Sequence, residues 1–181
     1  MTANGSMLQV LKADGAAADR ADGMALYGWL IGAWDVEVYD RLADGLIRRA
    51  RGEWHFDWVL EGRAIQDVFI VPRHAERRRD DLGLAGNRYG TSLRVLNPAD
   101  GTWRIDWSNP VTQARNSMIG RKVGSEIVQD GLDNDAGGAR YRWVFSEMTP
   151  NAFRWRAETS TDGGRSWTIT VEFRAARAAA A

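Results

Sequence analysis

Apolar and polar residues alternate along most of this chain, in short runs separated by turn-forming residues. Successive side chains of a strand point to opposite faces of a sheet, so a period of two marks half-buried strands. The later runs are the cleanest. Trp103, Ile105 and Trp107 oppose Thr102, Arg104 and Asp106; Tyr141, Trp143 and Phe145 oppose Arg140, Arg142 and Val144. Phe153 and Trp155 oppose Arg154 and Arg156, and Trp167, Ile169, Val171 and Phe173 oppose Ser166, Thr168, Thr170 and Glu172. An earlier run behaves alike, with Trp54, Phe56 and Trp58 alternating against Glu53, His55 and Asp57. The pattern predicts strands over 31–42, 46–60, 63–71, 89–97, 102–108, 111–119, 121–129, 140–147, 152–160 and 165–174. Asp44-Gly45, Glu61-Gly62, Asp100-Gly101, Asn109-Pro110 and Asp162-Gly163-Gly164 supply turns between them. Pro72 ends the third strand, having no N–H to give a ladder.

About ten short strands with no crossover helix between them predict an all-β fold, an antiparallel closed barrel. Ahead of it, apolar residues crowd together over 24–30 with Asp22 as cap, which predicts a short N-terminal helix plugging one end. The expected organisation is a flexible arm over 1–22, one barrel domain over 23–175 and a disordered tail over 176–181. The irregular stretch 72–88 carries His74, Arg77-Arg78-Arg79 and Asp80-Asp81. It reads either as a solvated loop of self-compensating charge or as a lid.

Seven of the nine tryptophans, Trp54, Trp58, Trp103, Trp107, Trp143, Trp155 and Trp167, fall on one predicted inner surface. Either these indoles wall a cavity suited to a flat or hydrophobic ligand, or they fill the barrel solidly. The run 111–118 has no apolar phase, one side offering Gln113, Arg115 and Ser117 and the other Thr112, Ala114, Asn116 and Met118. An inward Arg115 would demand an anionic or strongly accepting partner, because an unpaired charge is costly in low dielectric. Arg115 is therefore the first ligand-contact candidate. In the third strand either Gln66 or Asp67 must face inward, and an inward Asp67 would pair with Arg115, as a structural pair or as part of a site.

Composition narrows the function classes. With 181 residues, 44% of them hydrophobic, the chain suits one domain with a sizeable core. Lys+Arg and Asp+Glu both number 24, so no overall field draws it to nucleic acid or to an anionic membrane surface. Cysteine is absent, which removes disulfides, thiolate nucleophiles and zinc-thiolate sites. The first 18 residues lack the charged start and apolar run of a signal peptide, and no stretch approaches the ~20 apolar residues of a membrane span, so a soluble cytoplasmic protein is expected.

Gly32-Ala33-Trp34 at the mouth of the first strand, Arg174 at the end of the last, and the antiparallel run between them resemble the calycin superfamily, lipocalins in particular. The resemblance implies that Trp34 seals the closed end and that a late arginine, Arg174 or alternatively Arg177, packs across its ring; Gly32 completes this structural set. The wider layout, with Glu53-Trp54 through Asp67 and the turn before Thr102-Trp103, is similar to a large group of bacterial lipocalin-like proteins without an assigned function, over roughly 30–174. Extracellular lipocalins carry signal peptides and usually disulfides, which this chain does not show. Haem-holding barrels need an axial histidine and a glycine-rich start, and here His55 and His74 stand without the repeated glycines.

The chemistry remaining is that of a lined barrel. Glu53, His55 and Asp57 share a face, but it opposes the tryptophans and is expected outside, so no metal is called. No nucleophile triad, P-loop or dinucleotide fingerprint appears, and no cofactor is expected. The leading expectation is binding of a small hydrophobic or aromatic molecule bearing an acceptor or acidic group. A second is a cofactor-independent isomerase, cyclase or lyase, with Asp67 as base, Arg115 and Asn116 stabilising negative charge and Tyr141 donating a proton. A third is a homo-oligomeric barrel with a filled core. Tyr39, Leu96 and Val144 are the outward apolar spots on which a homodimer would rest.

Overall fold

A computed structural model describes residues 6–78, 87–132 and 138–179. Ten antiparallel strands follow one another round a closed barrel in chain order, the last pairing with the first. They are β1 (Gly32–Arg41), β2 (Ile47–Val59), β3 (Ala64–Val71), β4 (Arg88–Leu96), β5 (Trp103–Asn109), β6 (Ala114–Val123), β7 (Glu126–Gly131), β8 (Arg140–Ser146), β9 (Ala152–Ser160) and β10 (Thr168–Arg177). Gly45 and Gly101 take positive φ angles of 83° and 72°, which is why an Asp-Gly pair closes each of those turns.

Two helices precede the barrel, α1 (Met7–Leu11) and α2 (Ala21–Gly28). The first lies within the stretch read as an arm. Residues beside it join the β2–β3 corner through Ala13 N–H to the Trp58 carbonyl and Leu60 N–H to the Leu11 carbonyl, both at 2.9 Å. The plugging helix begins three residues earlier than expected, because a 3₁₀ turn at Ala18–Arg20 leads straight into it; Arg20, not Asp22, stands at its N-cap.

The plug shapes one end of the barrel. Tyr27 of α2 is wholly buried, its ring edge-on to Trp103 at 4.9 Å, and its hydroxyl accepts a hydrogen bond from Gln129 Nε2 at 2.9 Å. Gly120 makes this possible, since a Cβ there would stand 2.4 Å from the Tyr27 hydroxyl. Trp34 donates from Nε1 to the Leu30 carbonyl at 2.7 Å, and Arg177 lies over its ring at 4.1 Å. The guanidinium that closes this end is thus Arg177. Arg174 faces outward, its side chain 68% exposed, over Tyr39 and beside Glu172. The correction follows from register: Trp34 pairs with Arg177, three residues further along β10 than Arg174.

Two expected outward spots are also corrected. Leu96 points inward beneath α2, where Gly23 meets it, and Val144 is buried under the charged outer face of β7 to β9. There Arg142 and Arg156 each donate to Glu158 at 2.6 Å, and Arg156 reaches Glu126 at 3.0 Å. Among the described residues no helix is long and apolar enough to cross a membrane.

Burial pushes the Tyr27 hydroxyl up to about 12 from an ordinary 10.0, against the opposing pull of Gln129 and the Arg94 charge. The folded state holds that proton more tightly than the unfolded one. Its stability is therefore intact below pH 10 and falls as pH rises from about 10 toward 12, by on the order of 2 kcal/mol. In an alkaline titration followed at the phenolate absorption, the Tyr27 phenolate is expected to appear only as far-UV signal is lost. Titration of all four tyrosines near pH 10 with the fold intact would contradict this.

Candidate functional site

The opposite half of the barrel is hollow. A cavity of about 220 Å³ lies between Trp54, Asp67, Phe69, Arg88, Ser92, Trp107, Trp143, Trp155, Ala157, Val171 and Phe173. Six rings form a near-continuous belt. Trp107 meets Trp143 edge-on at 5.5 Å, Trp143 meets Trp155 at 5.2 Å, and Trp155 stacks on Phe173 at 4.3 Å. Phe173 stacks on Phe69 at 4.7 Å, and Phe69 meets Trp54 at 5.2 Å. Two small residues give the belt its form. Ala157 sits opposite both Trp143 and Val171, where a larger side chain would occupy the hollow. A Cβ on Gly90 would stand 3.0 Å from Trp107 Nε1, so glycine lets that indole lie against β4.

The belt is interrupted at Asp67 of β3 and along the facing part of β4, where the inward side chains Arg88, Ser92 and Arg94 are polar. Asp67 faces inward, as one of the two residues in that strand had to, and pairs across the sheet with Ser92. Its side chain and that of Arg94 are both 0% exposed; Oδ2 accepts from Arg94 Nη1, and Oδ1 accepts from the Ser92 backbone N–H at 3.0 Å. Arg94 lies over Phe56 and Tyr27 at 5.4 and 5.6 Å. Nearer the hairpin end, Asp40 on β1 accepts from Arg48 Nη2 at 2.9 Å and Arg88 Nη2 at 2.5 Å. Arg88 Nη1 is buried with no hydrogen-bond partner among the described residues, and the same holds for the indole N–H groups of Trp54 and Trp155. Among the described residues, two arginines against one aspartate leave this end of the cavity positive by one formal charge.

The structure sorts the predicted residues as follows. Trp54, Trp107, Trp143 and Trp155 line the cavity. Trp58 and Trp103 face inward but belong to the plugged end, where Trp58 lies against Gly28 and Trp103 against Tyr27. Trp167 is outside, stacked on the Arg142 guanidinium at 4.0 Å. An irregularity in register between Ile169 and Val171 reverses the alternation there, as a β-bulge does, so Val171 and Phe173 point inward while Trp167 does not.

Arg115 is corrected too: it is exposed, paired with Ser108 at the start of β6, and does not meet Asp67. The turn after Asn109 runs on through Gln113, whose φ is +60°, so β6 starts at Ala114 and the phase carrying Asn116 and Met118 faces inward. Asn116 is half-buried opposite Trp107, and Tyr141 donates from its hydroxyl to the Ser117 carbonyl at 3.1 Å; neither lines the cavity. Arg88, Ser92 and Arg94 escaped sequence reasoning. The more hydrophobic phase of β4, Tyr89, Thr91, Leu93 and Val95, is the outward one, so the alternation there points the wrong way. Glu53, His55 and Asp57 lie outside, Asp57 paired with Lys12 at 3.0 Å and Glu53 accepting the His74 N–H at 3.0 Å. Of the suggested lid over 72–88, residues 79–86 lie outside the described residues; His74–Glu76 form a 3₁₀ turn, and Arg77 donates to the Val71 and Arg88 carbonyls at 3.2 Å.

No family model matches this chain, and no curated protein sequence matches it significantly. Solved structures do. The crystal structure of Rv2717c from M. tuberculosis superposes with a TM-score of 0.63 at 10% identity, over 91% of this chain and 99% of that one. The S-type phycobiliprotein lyase CPES from Guillardia theta gives 0.55 at 10% identity, over 91% and 99%. The redesigned barrel EF1p2_mFAP2b, solved bound to DFHBI, gives 0.42 at 16% identity, over 86% and 98%. The likeness is one of fold, and the fold is a calycin-like closed barrel.

Proposed function

We propose that this protein binds a small planar aromatic molecule carrying an acidic or strongly accepting group, with the rings held in the belt and the acidic group beside Arg88. The observation that carries the reading is the six-ring hollow with a buried, incompletely partnered guanidinium in its wall. Aromatic walls favour stacked or edge-on rings, worth about 0.5–1.5 kcal/mol per pair beyond simple burial. A volume near 220 Å³ lies below the roughly 300–1,000 Å³ of sites for drug-sized ligands, which favours one or two rings over an extended chain. The free Nη1 of Arg88 and the two unpartnered indole N–H groups are donors, so they favour acceptor atoms on the ligand.

Chemistry of the isomerase, cyclase or lyase type would use the same walls with Asp67 as base. Both Asp67 oxygens already accept strong donors, which suits a fixed acceptor better than a proton abstractor. Binding is the reading the geometry favours.

Titration with 2-naphthoate, followed by quenching of tryptophan fluorescence, tests it against the uncharged 2-naphthylmethanol. The carboxylate should bind more tightly. Arg88→Met should weaken it tenfold or more while changing the alcohol little, and Arg115→Ala should change neither. Ala157→Phe should abolish both while the protein stays folded by thermal unfolding. No response to any naphthyl compound, or loss of binding in Arg115→Ala but not in Arg88→Met, would refute the reading.

A further inference from the structure

We infer that the molecule bound in the hollow is polar at both ends, and that its inner end presents a neutral hydrogen-bond donor, a hydroxyl or ring N–H, to Asp67 and Ser92. The inference rests on the aromatic-ligand reading above and specifies what the floor of the cavity selects.

Arg88 and Ser92 are inward residues of the same strand, four positions apart, so their Cα atoms are separated by about 13 Å at the ~3.3 Å rise of a strand. Between them the β4 wall is Gly90, with the Trp107 indole laid against it. The polar groups of the cavity therefore stand at its two ends, with rings between. A ligand whose polarity is confined to the Arg88 end would leave its inner edge, apolar or not, against a carboxylate.

Asp67 is the acceptor at that end. It is 1% exposed, lines the cavity, and uses one lone pair on each oxygen for Ser92 N–H and Arg94. An ionised carboxylate has about four acceptor sites, so it retains capacity for a donor arriving from the hollow. Ser92, 1% exposed on the same wall, brings a hydroxyl that both donates and accepts. A hydroxyl or ring N–H set here completes the carboxylate's shell.

Charge decides between donor types. Asp67 is already neutralised by a buried arginine, and among the described residues the other end of the cavity carries a net positive charge. An ammonium group would lose its hydration and gain no uncompensated anion, whereas a neutral O–H or N–H gains a hydrogen bond to an ionised acceptor. The class is thus an aromatic acid with a phenolic or pyrrole-type donor on the far side of its ring system.

Three ligands that share the 2-naphthoate frame test this on the unaltered protein: 6-hydroxy-2-naphthoate, 6-methoxy-2-naphthoate and 6-(aminomethyl)-2-naphthoate. The hydroxy compound should bind at least tenfold more tightly than the other two. Its bound naphthol should also stay protonated to higher pH than in free solution, read from its absorption, because a carboxylate faces it. Ser92→Ala should narrow the gap between hydroxy and methoxy compounds. Equal or tighter binding of the methoxy or aminomethyl compound would overturn the inference while leaving the aromatic-acid reading in place. Failure of every naphthoate, 2-naphthoate included, would instead remove the reading beneath it.

Discussion

Asp67→Ala is expected to lower the folding free energy by about 3–5 kcal/mol, the range found when one partner of a buried ion pair is removed and the other charge stays behind. The size of the effect comes from Arg94. Its side chain is fully buried, and its Nε and Nη2 already lack partners among the described residues, so Asp67 is the counter-charge that makes its burial tolerable. The double variant Asp67→Leu/Arg94→Met removes both charges and keeps similar volume, and it should unfold close to the wild-type midpoint, because an apolar pair avoids the desolvation cost that the ion pair only partly recovers. Equilibrium unfolding in urea of the wild type, both singles and the double gives the coupling directly. A loss below about 1 kcal/mol in Asp67→Ala would show that Arg94 finds another partner, and would take the cavity floor described here with it.

The same pair shows how far the sequence is legible. The alternation in β2, β5, β8 and β9 assigns faces correctly because each strand there has one aromatic phase and one charged phase, and aromatic burial outweighs every other term. Asp67 was legible as an inward candidate, but its partner was not. In β4 the inward residues Arg88, Ser92 and Arg94 are more polar than the outward Leu93 and Val95, since the barrel interior here is built to hold charge rather than to exclude it. A hydrophobicity pattern is inverted wherever a site is polar. Trp167 departs from its expected face because the bulge in β10 shifts the phase by one position, and one position exchanges the two faces. The run holding Arg115 has no apolar phase from which a face can be chosen, and pairing with β5 turns Asn116 and Met118 inward instead. No composition signal marks the bulge. The aromatic belt was thus readable in four of its six rings as tryptophans, while the guanidinium that sets its polarity depended on register, which only the folded chain defines.

Register also fixes the second large effect. Arg177→Ala should cost about 3 kcal/mol, and Arg174→Ala less than about 0.5 kcal/mol, although the two residues are three apart on one strand. Arg177 donates from Nη1 to the Ile31 carbonyl, from Nη2 to the Trp29 carbonyl and from Nε to the Pro150 carbonyl, all at 2.9 Å, while its face covers Trp34 at 4.1 Å. The Trp29 and Ile31 carbonyls follow α2, where a helix end leaves acceptors without intrahelical donors, and Pro150 lies between β8 and β9, so the guanidinium ties the plug, the first strand and the β8–β9 turn into one closed end. Arg177→Lys should recover only part of the loss, since an ammonium lacks the planar fork that reaches three acceptors and stacks on an indole at once. Arg174, by contrast, is exposed beside Glu172 over Tyr39, where surface pairs contribute little. Thermal and urea unfolding of the three variants decide the matter; an Arg174→Ala loss equal to that of Arg177→Ala would mean that the end of β10 is paired to β1 in a different register. Because the aromatic cavity lies at the other end, Arg177→Ala should leave the affinity for 2-naphthoate unchanged at temperatures where the protein is still folded, which separates the closed end as a stabilising element from the hollow that carries the binding.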